Sequence, residues 1–156
     1  MGLEIERKFL IEKDLWYALS KPAGNMIQQA YLVNEPDKVI RIRTAGNSGY
    51  LTIKGPNVGA TRLEYEYPVP VHEAEEIIDH FTTKSIKKVR YKIEFDGKIW
   101  EIDEFFGEND GLIIVEIELK SQDEPFEKPS WIGEEVTSDL RYYNSYLIDH
   151  PYNSWK

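Results

Sequence analysis

The feature that most restricts what this chain can fold into is residue-by-residue alternation of charged and apolar side chains. Leu3-Glu4-Ile5-Glu6-Arg7-Lys8-Phe9, Val39–Arg43, Tyr50–Lys54, Arg62–Tyr67, Lys88–Ile93, Trp100–Asp103 and Val115–Leu119 all follow it. A period of two places neighbouring side chains on opposite faces of a strand. With the run from Met26 to Val33, the pattern predicts eight strands, at 2–10, 26–33, 38–44, 49–54, 61–69, 86–95, 98–106 and 111–119. Asp96-Gly97 between two alternating runs is a strong two-residue hairpin signal. Asn47-Ser48-Gly49, Gly55-Pro56-Asn57 and Glu108–Gly111 mark further reversals. Connections this short make neighbouring strands antiparallel.

Helical periodicity is rarer. Ala74, Ile77, Ile78 and Phe81 recur at the spacing of one helix face within 71–81. Weaker helices are expected at 13–20 and 139–148, the second stopped by Pro151.

Sorting the strands by face gives one set dominated by Ile, Leu, Val, Tyr and Trp, and a second that is almost wholly ionised. The second holds Glu4, Glu6, Lys8, Arg41, Arg43, Lys54, Glu64, Glu66, Lys88, Arg90, Lys92, Glu101, Asp103, Glu116 and Glu118. A sheet with one solvated face accounts for alternation, but solvated faces also carry Thr, Ser and Gln. Eight antiparallel strands in one small domain also tend to close, which removes their edges. Closure with the apolar face outward, under helices, puts the charges in a lumen. Unpaired buried charges cost several kcal/mol each, so that lumen must be wet and filled with ions.

Residue type narrows the ions. Carboxylates without His or Cys are hard oxygen ligands suited to Mg2+ or Mn2+, and Arg and Lys beside them suit phosphate oxygens. Together they describe a polyphosphate site. The chain carries 28 acids against 19 bases, a net charge of −9. The ionised face has eight acids and seven bases, so nearly all the excess negative charge lies elsewhere. An anion-attracting interior inside an anion-repelling exterior argues against nucleic acid or an anionic membrane as partner. Absence of cysteine excludes disulfides, thiolate metal sites and a cysteine nucleophile. Without a secretory leader or an apolar run long enough to span a bilayer, a soluble, cytoplasmic, single-domain protein (1–156) is expected.

Glu4-Ile5-Glu6-Arg7-Lys8 resembles the ExExK signature of the CYTH family, the triphosphate tunnel metalloenzymes. Arg41-Ile42-Arg43, Leu51–Gly55, Glu64-Tyr65-Glu66, Lys88–Tyr91, Trp100–Asp103, Gly111 to Leu119 and Glu135 to Tyr142 resemble further family blocks, in order over essentially the whole chain. Ser138 and Val115 depart from the usual pattern at uncharged positions. The resemblance implies an α+β fold dominated by a closed eight-stranded antiparallel tunnel with flanking helices, and divalent-metal chemistry on triphosphates with Mg2+ or Mn2+. By position it implies Glu4, Glu6, Asp103, Glu116 and Glu118 as metal ligands. Lys8, Arg41, Arg43, Lys54, Arg90 and Arg141 are implied as triphosphate ligands, and Glu64, Glu66 and Lys88 as catalytic residues. Tyr31 sits where the family often has a tunnel Tyr, with ordinary packing its alternative.

A small protein of this type is expected to hydrolyse inorganic triphosphate. Class IV adenylate cyclase, thiamine or nucleoside triphosphatase, and a non-catalytic polyphosphate-binding module stay open, as does a homodimer. His72, His80 and His150 are expected at the surface, and Tyr142, Tyr143 and Tyr146 in packing.

Overall fold

Asp96 and Gly97 both adopt positive φ, 51° and 75°, the geometry that a two-residue hairpin matched to strand twist requires. They join β6 (Ile86–Phe95) to β7 (Lys98–Phe105). The computed structural model describes residues 2–155. Its other strands are β1 (Leu3–Ile11), β2 (Asn25–Glu35), β3 (Lys38–Ala45), β4 (Ser48–Val58), β5 (Thr61–Val69), β8 (Ile113–Glu118) and β9 (Ile132–Glu135).

Every strand pairing is antiparallel. The sheet runs β5-β4-β3-β2-β6-β7-β8-β1-β9, and a further β5–β1 pairing closes the first eight strands into a barrel. β1 makes closure possible by changing partners along one edge: Leu3–Ile5 pair with β5, while Phe9 and Ile11 pair with the short β9. The sequence carries no period-two signal for β9, whose four residues include Gly133. One reversal also differs from expectation. β4 continues through Gly55-Pro56-Asn57 and turns at Gly59 (φ 64°) and Ala60, with a register shift between Lys54 and Asn57. A bulge tolerates Pro56, which has no N–H to give a ladder.

The apolar face points outward and is covered in three places. α1 (Lys13–Ala18) and the chain before β9 cover β1, β7 and β8, where Trp16, Trp100, Phe9 and Trp131 pack with Val115 and Ile117. α2 (Val71–Phe81) lays Ala74 and Ile78 on Ala30 and Ile42 of β2 and β3. The C-terminal segment covers Ile86, Phe105 and Ile114 with Leu147. Phe81, expected on the buried stripe of α2, is exposed at the helix end, and Leu3, Leu63, Tyr65 and Tyr67 are also exposed, so β5 has no helix over it.

The helix expected at 139–148 is broken. A 3-10 turn at Leu140–Tyr142 and a short α3 (Asn144–Leu147) flank Tyr143, whose backbone is extended (φ −85°, ψ 140°). That extension drops the buried Tyr143 ring to 4.5 Å from the Lys8 ammonium. Among the described residues, no helix is long and apolar enough to cross a membrane.

Candidate active site

Barrel closure puts the ionised strand positions inside, because the same parity that turns Ile5, Ile42, Ile102 and Ile117 outward turns their neighbours inward. The resulting cavity is lined by Glu4, Glu6, Lys8, Arg41, Arg43, Lys54, Glu64, Glu66, Lys88, Arg90, Glu101, Glu116 and Glu118. Two outer grooves adjoin it: one shares Arg43, Glu66, Arg90 and Glu101 with its lining, the other Val39, Arg62, Tyr143 and Ser145. The cavity is the lumen of the closed barrel, the tunnel of this fold.

Its charges are divided by strand. β7, β8, β1 and β5 form a mainly acidic arc with Glu101, Asp103, Glu116, Glu118, Glu4, Glu6, Glu64 and Glu66, interrupted by Lys8 on β1 and Arg62 on β5. β4, β3, β2 and β6 form a basic arc with Lys54, Arg41, Arg43, Lys88 and Arg90, β2 adding the neutral Gln29 and Tyr31. Ion pairs form along the two seams. At β4/β5, Lys54 Nζ lies 3.3 Å from Glu64, and Glu66 Oε2 accepts from Thr52 at 2.9 Å, Arg43 at 3.1 Å and Arg41 at 3.5 Å. At β6/β7, Asp103 accepts from Arg90 Nε and Nη2 at 2.7 and 2.9 Å and from Lys88 Nζ at 2.8 Å.

Between the seams the charges are less well matched. On the basic arc, the Nε–H groups of Arg41 and Arg43 are buried with no hydrogen-bond partner. Buried unsatisfied donors are costly, and a phosphate oxygen would satisfy them. Burial, with Arg41 and Arg90 close by, pushes Arg43 down to about 10, which leaves it charged at neutral pH.

On the acidic arc, burial and then the adjacent Glu116 push Glu6 up to about 8, against the opposing pull of Lys8. Burial also raises Glu4 and Glu118. Glu116 goes the other way: burial opposes ionisation, but Lys8, a hydrogen bond from Glu6, and Arg90 hold it well below the usual range. Lys8 Nζ reaches Glu116 at 2.6 Å and Glu6 at 3.2 Å. With Glu6 raised and Glu116 lowered, a proton shared by this pair resides on Glu6 near neutral pH.

Several expected site residues stand elsewhere or in other company. Arg141 is outside the tunnel: its guanidinium pairs with Asp139 at 2.7 Å and lies over the Tyr142 and Trp155 rings. Asp103 is fully buried with both oxygens engaged by Arg90 and Lys88, so it anchors cations where a metal ligand was expected. Lys88, expected as catalytic, is fixed between Asp103 and Asn144, with burial lowering it to about 8. Glu66 is occupied by Arg41, Arg43 and Thr52. Lys92, on the ionised face, is exposed beside Glu101.

Arg62, Tyr143, Asn144 and Ser145 also line the tunnel and were missed. Arg62 shares the parity of Glu64 and Glu66, so the alternation of β5 contained the signal. Tyr143, Asn144 and Ser145 enter from a segment with no strand period, and nothing local marks them.

The CYTH domain family matches residues 2–152, and the chain belongs to that family. It is 49% identical over 157 residues to a protein of Acetivibrio thermocellus named inorganic triphosphatase, covering 100% of this chain and 99% of that one. A second protein so named, from Nitrosomonas europaea, is 35% identical over 152 residues, covering 92% and 95% of the two chains. The crystal structure of the inorganic triphosphatase NE1496 aligns with a TM-score of 0.64 at 33% identity, covering 93% of each chain.

Proposed function

We propose that this chain hydrolyses inorganic triphosphate to pyrophosphate and phosphate in its tunnel, with Mg2+ or Mn2+ as cofactor. The observation that carries the reading is the division of the lumen into a basic arc with unsatisfied guanidinium N–H groups and an acidic arc with surplus carboxylates. The two relatives named inorganic triphosphatase support it. The substrate is a small anion, and we place the activity in the cytoplasm, away from nucleic acid and membrane.

Glu4, Glu6, Glu116 and Glu118 fit a hard divalent ion. They are oxygen donors on adjacent strands, and burial together with neighbouring carboxylates raises three of them toward neutrality. Among the described residues, no three His, Cys, Asp or Glu converge as a ready-made metal cage. Mg2+ is commonly held through one or two carboxylates together with phosphate oxygens of the substrate. When bound, the ion neutralises phosphate charge and polarises the phosphorus–oxygen bonds.

Lys8, Arg41, Arg43, Lys54, Lys88 and Arg90 hold the triphosphate and offset its charge. Glu64, kept ionised by Lys54 although burial opposes it, orients the attacking water. The water oxygen bonds to a terminal phosphorus as its bond to the bridging oxygen breaks; that oxygen leaves with pyrophosphate, and the water's proton passes to the Glu64 carboxylate. The largely dissociative transition state asks mainly for positioning and charge stabilisation. Glu66 keeps the Arg41 and Arg43 guanidinium groups aimed at the substrate.

The test is to incubate the protein with inorganic triphosphate, ATP or thiamine triphosphate, each with Mg2+, Mn2+ or EDTA. Phosphate, pyrophosphate and cyclic AMP are then quantified. Metal-dependent phosphate release from inorganic triphosphate, with ATP poor, is the expected result. Cyclic AMP with pyrophosphate from ATP would assign a cyclase, and binding without turnover a polyphosphate-binding module.

A further inference from the structure

Lys88 is fully buried on β6, and its ammonium has three N–H groups to place. One acceptor is Asp103 Oδ2 at 2.8 Å, and another is Asn144 Oδ1 at 2.9 Å, at the start of α3 outside the barrel strands. These two contacts leave the third N–H for the tunnel that Lys88 lines.

Asp103 does not belong to Lys88 alone, because it also accepts two hydrogen bonds from Arg90. One carboxylate thus serves two cations, and Arg90 also reaches Glu101 at 3.4 Å and Glu116 at 3.6 Å. Asn144, as a neutral acceptor, fixes the ammonium without adding another negative charge beside it. A carboxylate at this position would hold Lys88 equally well and neutralise it.

The orientation of Asn144 is itself determined. Gln29, fully buried on β2, donates from Nε2 to Asn144 Oδ1 at 3.2 Å and to the Tyr31 hydroxyl at 3.1 Å. An ammonium and an amide NH2 converge on one atom, which must be the carbonyl oxygen, and they use both its lone pairs. The flanking residues are tied down as well. The Tyr143 hydroxyl donates to Thr137 O at 2.8 Å, and Asn34 Nδ2 donates to Ser145 O at 2.7 Å.

We propose that Asn144 is a positioning residue of the triphosphate clamp: it aims Lys88 into the tunnel and, being neutral, adds no further carboxylate to compete with a phosphate oxygen for the ammonium. The inference rests on the triphosphate reading of the tunnel, and it makes the C-terminal segment part of the active site.

Calorimetric titration of inorganic triphosphate into the protein in EDTA, where no metal-dependent turnover occurs, tests it. Asn144→Ala is expected to weaken binding roughly 10-fold, the scale of one charge-assisted hydrogen bond. In a Lys88→Met background the same change should alter affinity less than about 2-fold, because Asn144 acts through Lys88. Asn144→Asp, nearly isosteric and so a check against simple misfolding, is expected to bind more weakly than Asn144→Ala. Wild-type affinity in either single variant overturns the inference, as does an equal loss from Asn144→Ala with and without Lys88. A wild-type protein that does not bind triphosphate overturns the reading of the tunnel and this inference with it.

Discussion

Lys8 Nζ lies 2.6 Å from Glu116 Oε2 across the β1–β8 pairing. This sets a nearly fully buried cation in the middle of the acidic arc. Breaking a buried pair leaves an uncompensated charge, typically at a cost of about 3–5 kcal/mol. Lys8→Met is therefore expected to lower the stability of the metal-free protein by about 3 kcal/mol, a loss that Mg2+ partly restores. Urea denaturation with and without Mg2+ measures both, and an unchanged midpoint would show that the pair contributes nothing.

Glu6 gives a pH dependence with a definite sign. Its folded-state value of about 8 is above the ordinary 4.5, so between those values the native state binds more protons than the unfolded chain. Stability contributed by this group is present at the acid end of that window and is lost as pH rises through about 8. A cation on the acidic arc must displace the shared proton, so its binding strengthens with pH. Thermal midpoints in EDTA should fall across this window relative to a Glu6→Gln variant, and the upward shift given by Mg2+ should grow. A shift by Mg2+ that does not vary with pH would contradict the shared-proton account.

Arg41 and Arg43 carry the buried unpaired Nε–H groups. Replacing either with Ala removes donors that only a ligand satisfies, so kcat/KM for inorganic triphosphate should fall about 10²–10³-fold. Folding should lose less than in Lys8→Met, since a costly unsatisfied donor goes too and Glu66 keeps Thr52 and the other guanidinium as partners. Steady-state phosphate release beside a thermal melt reads the two effects apart, and near-wild-type turnover would remove the arginine from the clamp.

Arg141 is the matched control. It is exposed and paired with Asp139 outside the tunnel, so Arg141→Ala should keep kcat/KM within about 2-fold of wild type, as expected for a surface pair. A loss as large as that of Arg41→Ala would restore it to the site.

Trp16 is fully buried between Tyr91 and Trp131, with ring centroids at 5.4 and 5.9 Å. Trp16→Ala should cost about 3–5 kcal/mol by uncoupling α1 from the barrel wall. A denaturation midpoint near wild type would mean that α1 contributes little.

Legibility followed the range of the forces involved. The eight barrel strands and α2 were readable because period-two and helical patterns are local, and so was the division of residues into lumen and exterior. β9 was not readable, because four residues held by pairing with the end of β1 need no pattern of their own. The bulge at Gly55-Pro56 was misread as a turn, since both features use the same residues. Phe81 was misplaced because periodicity does not say where the barrel beneath a helix ends.

The alternation alone determined that this chain carries an ionised face fit for phosphate and a hard metal ion, because parity along a strand is a property of neighbouring residues. It could not determine which charges meet. That Asp103 serves Arg90 and Lys88, that Glu66 gathers Arg41 and Arg43, and that Arg141 leaves the site were decided by barrel closure and by the path of the C-terminal segment. So was the entry of Asn144 beside Lys88, 56 positions away. Such contacts join residues distant in sequence, and at a few ångströms their energies depend on a geometry that only the folded chain supplies.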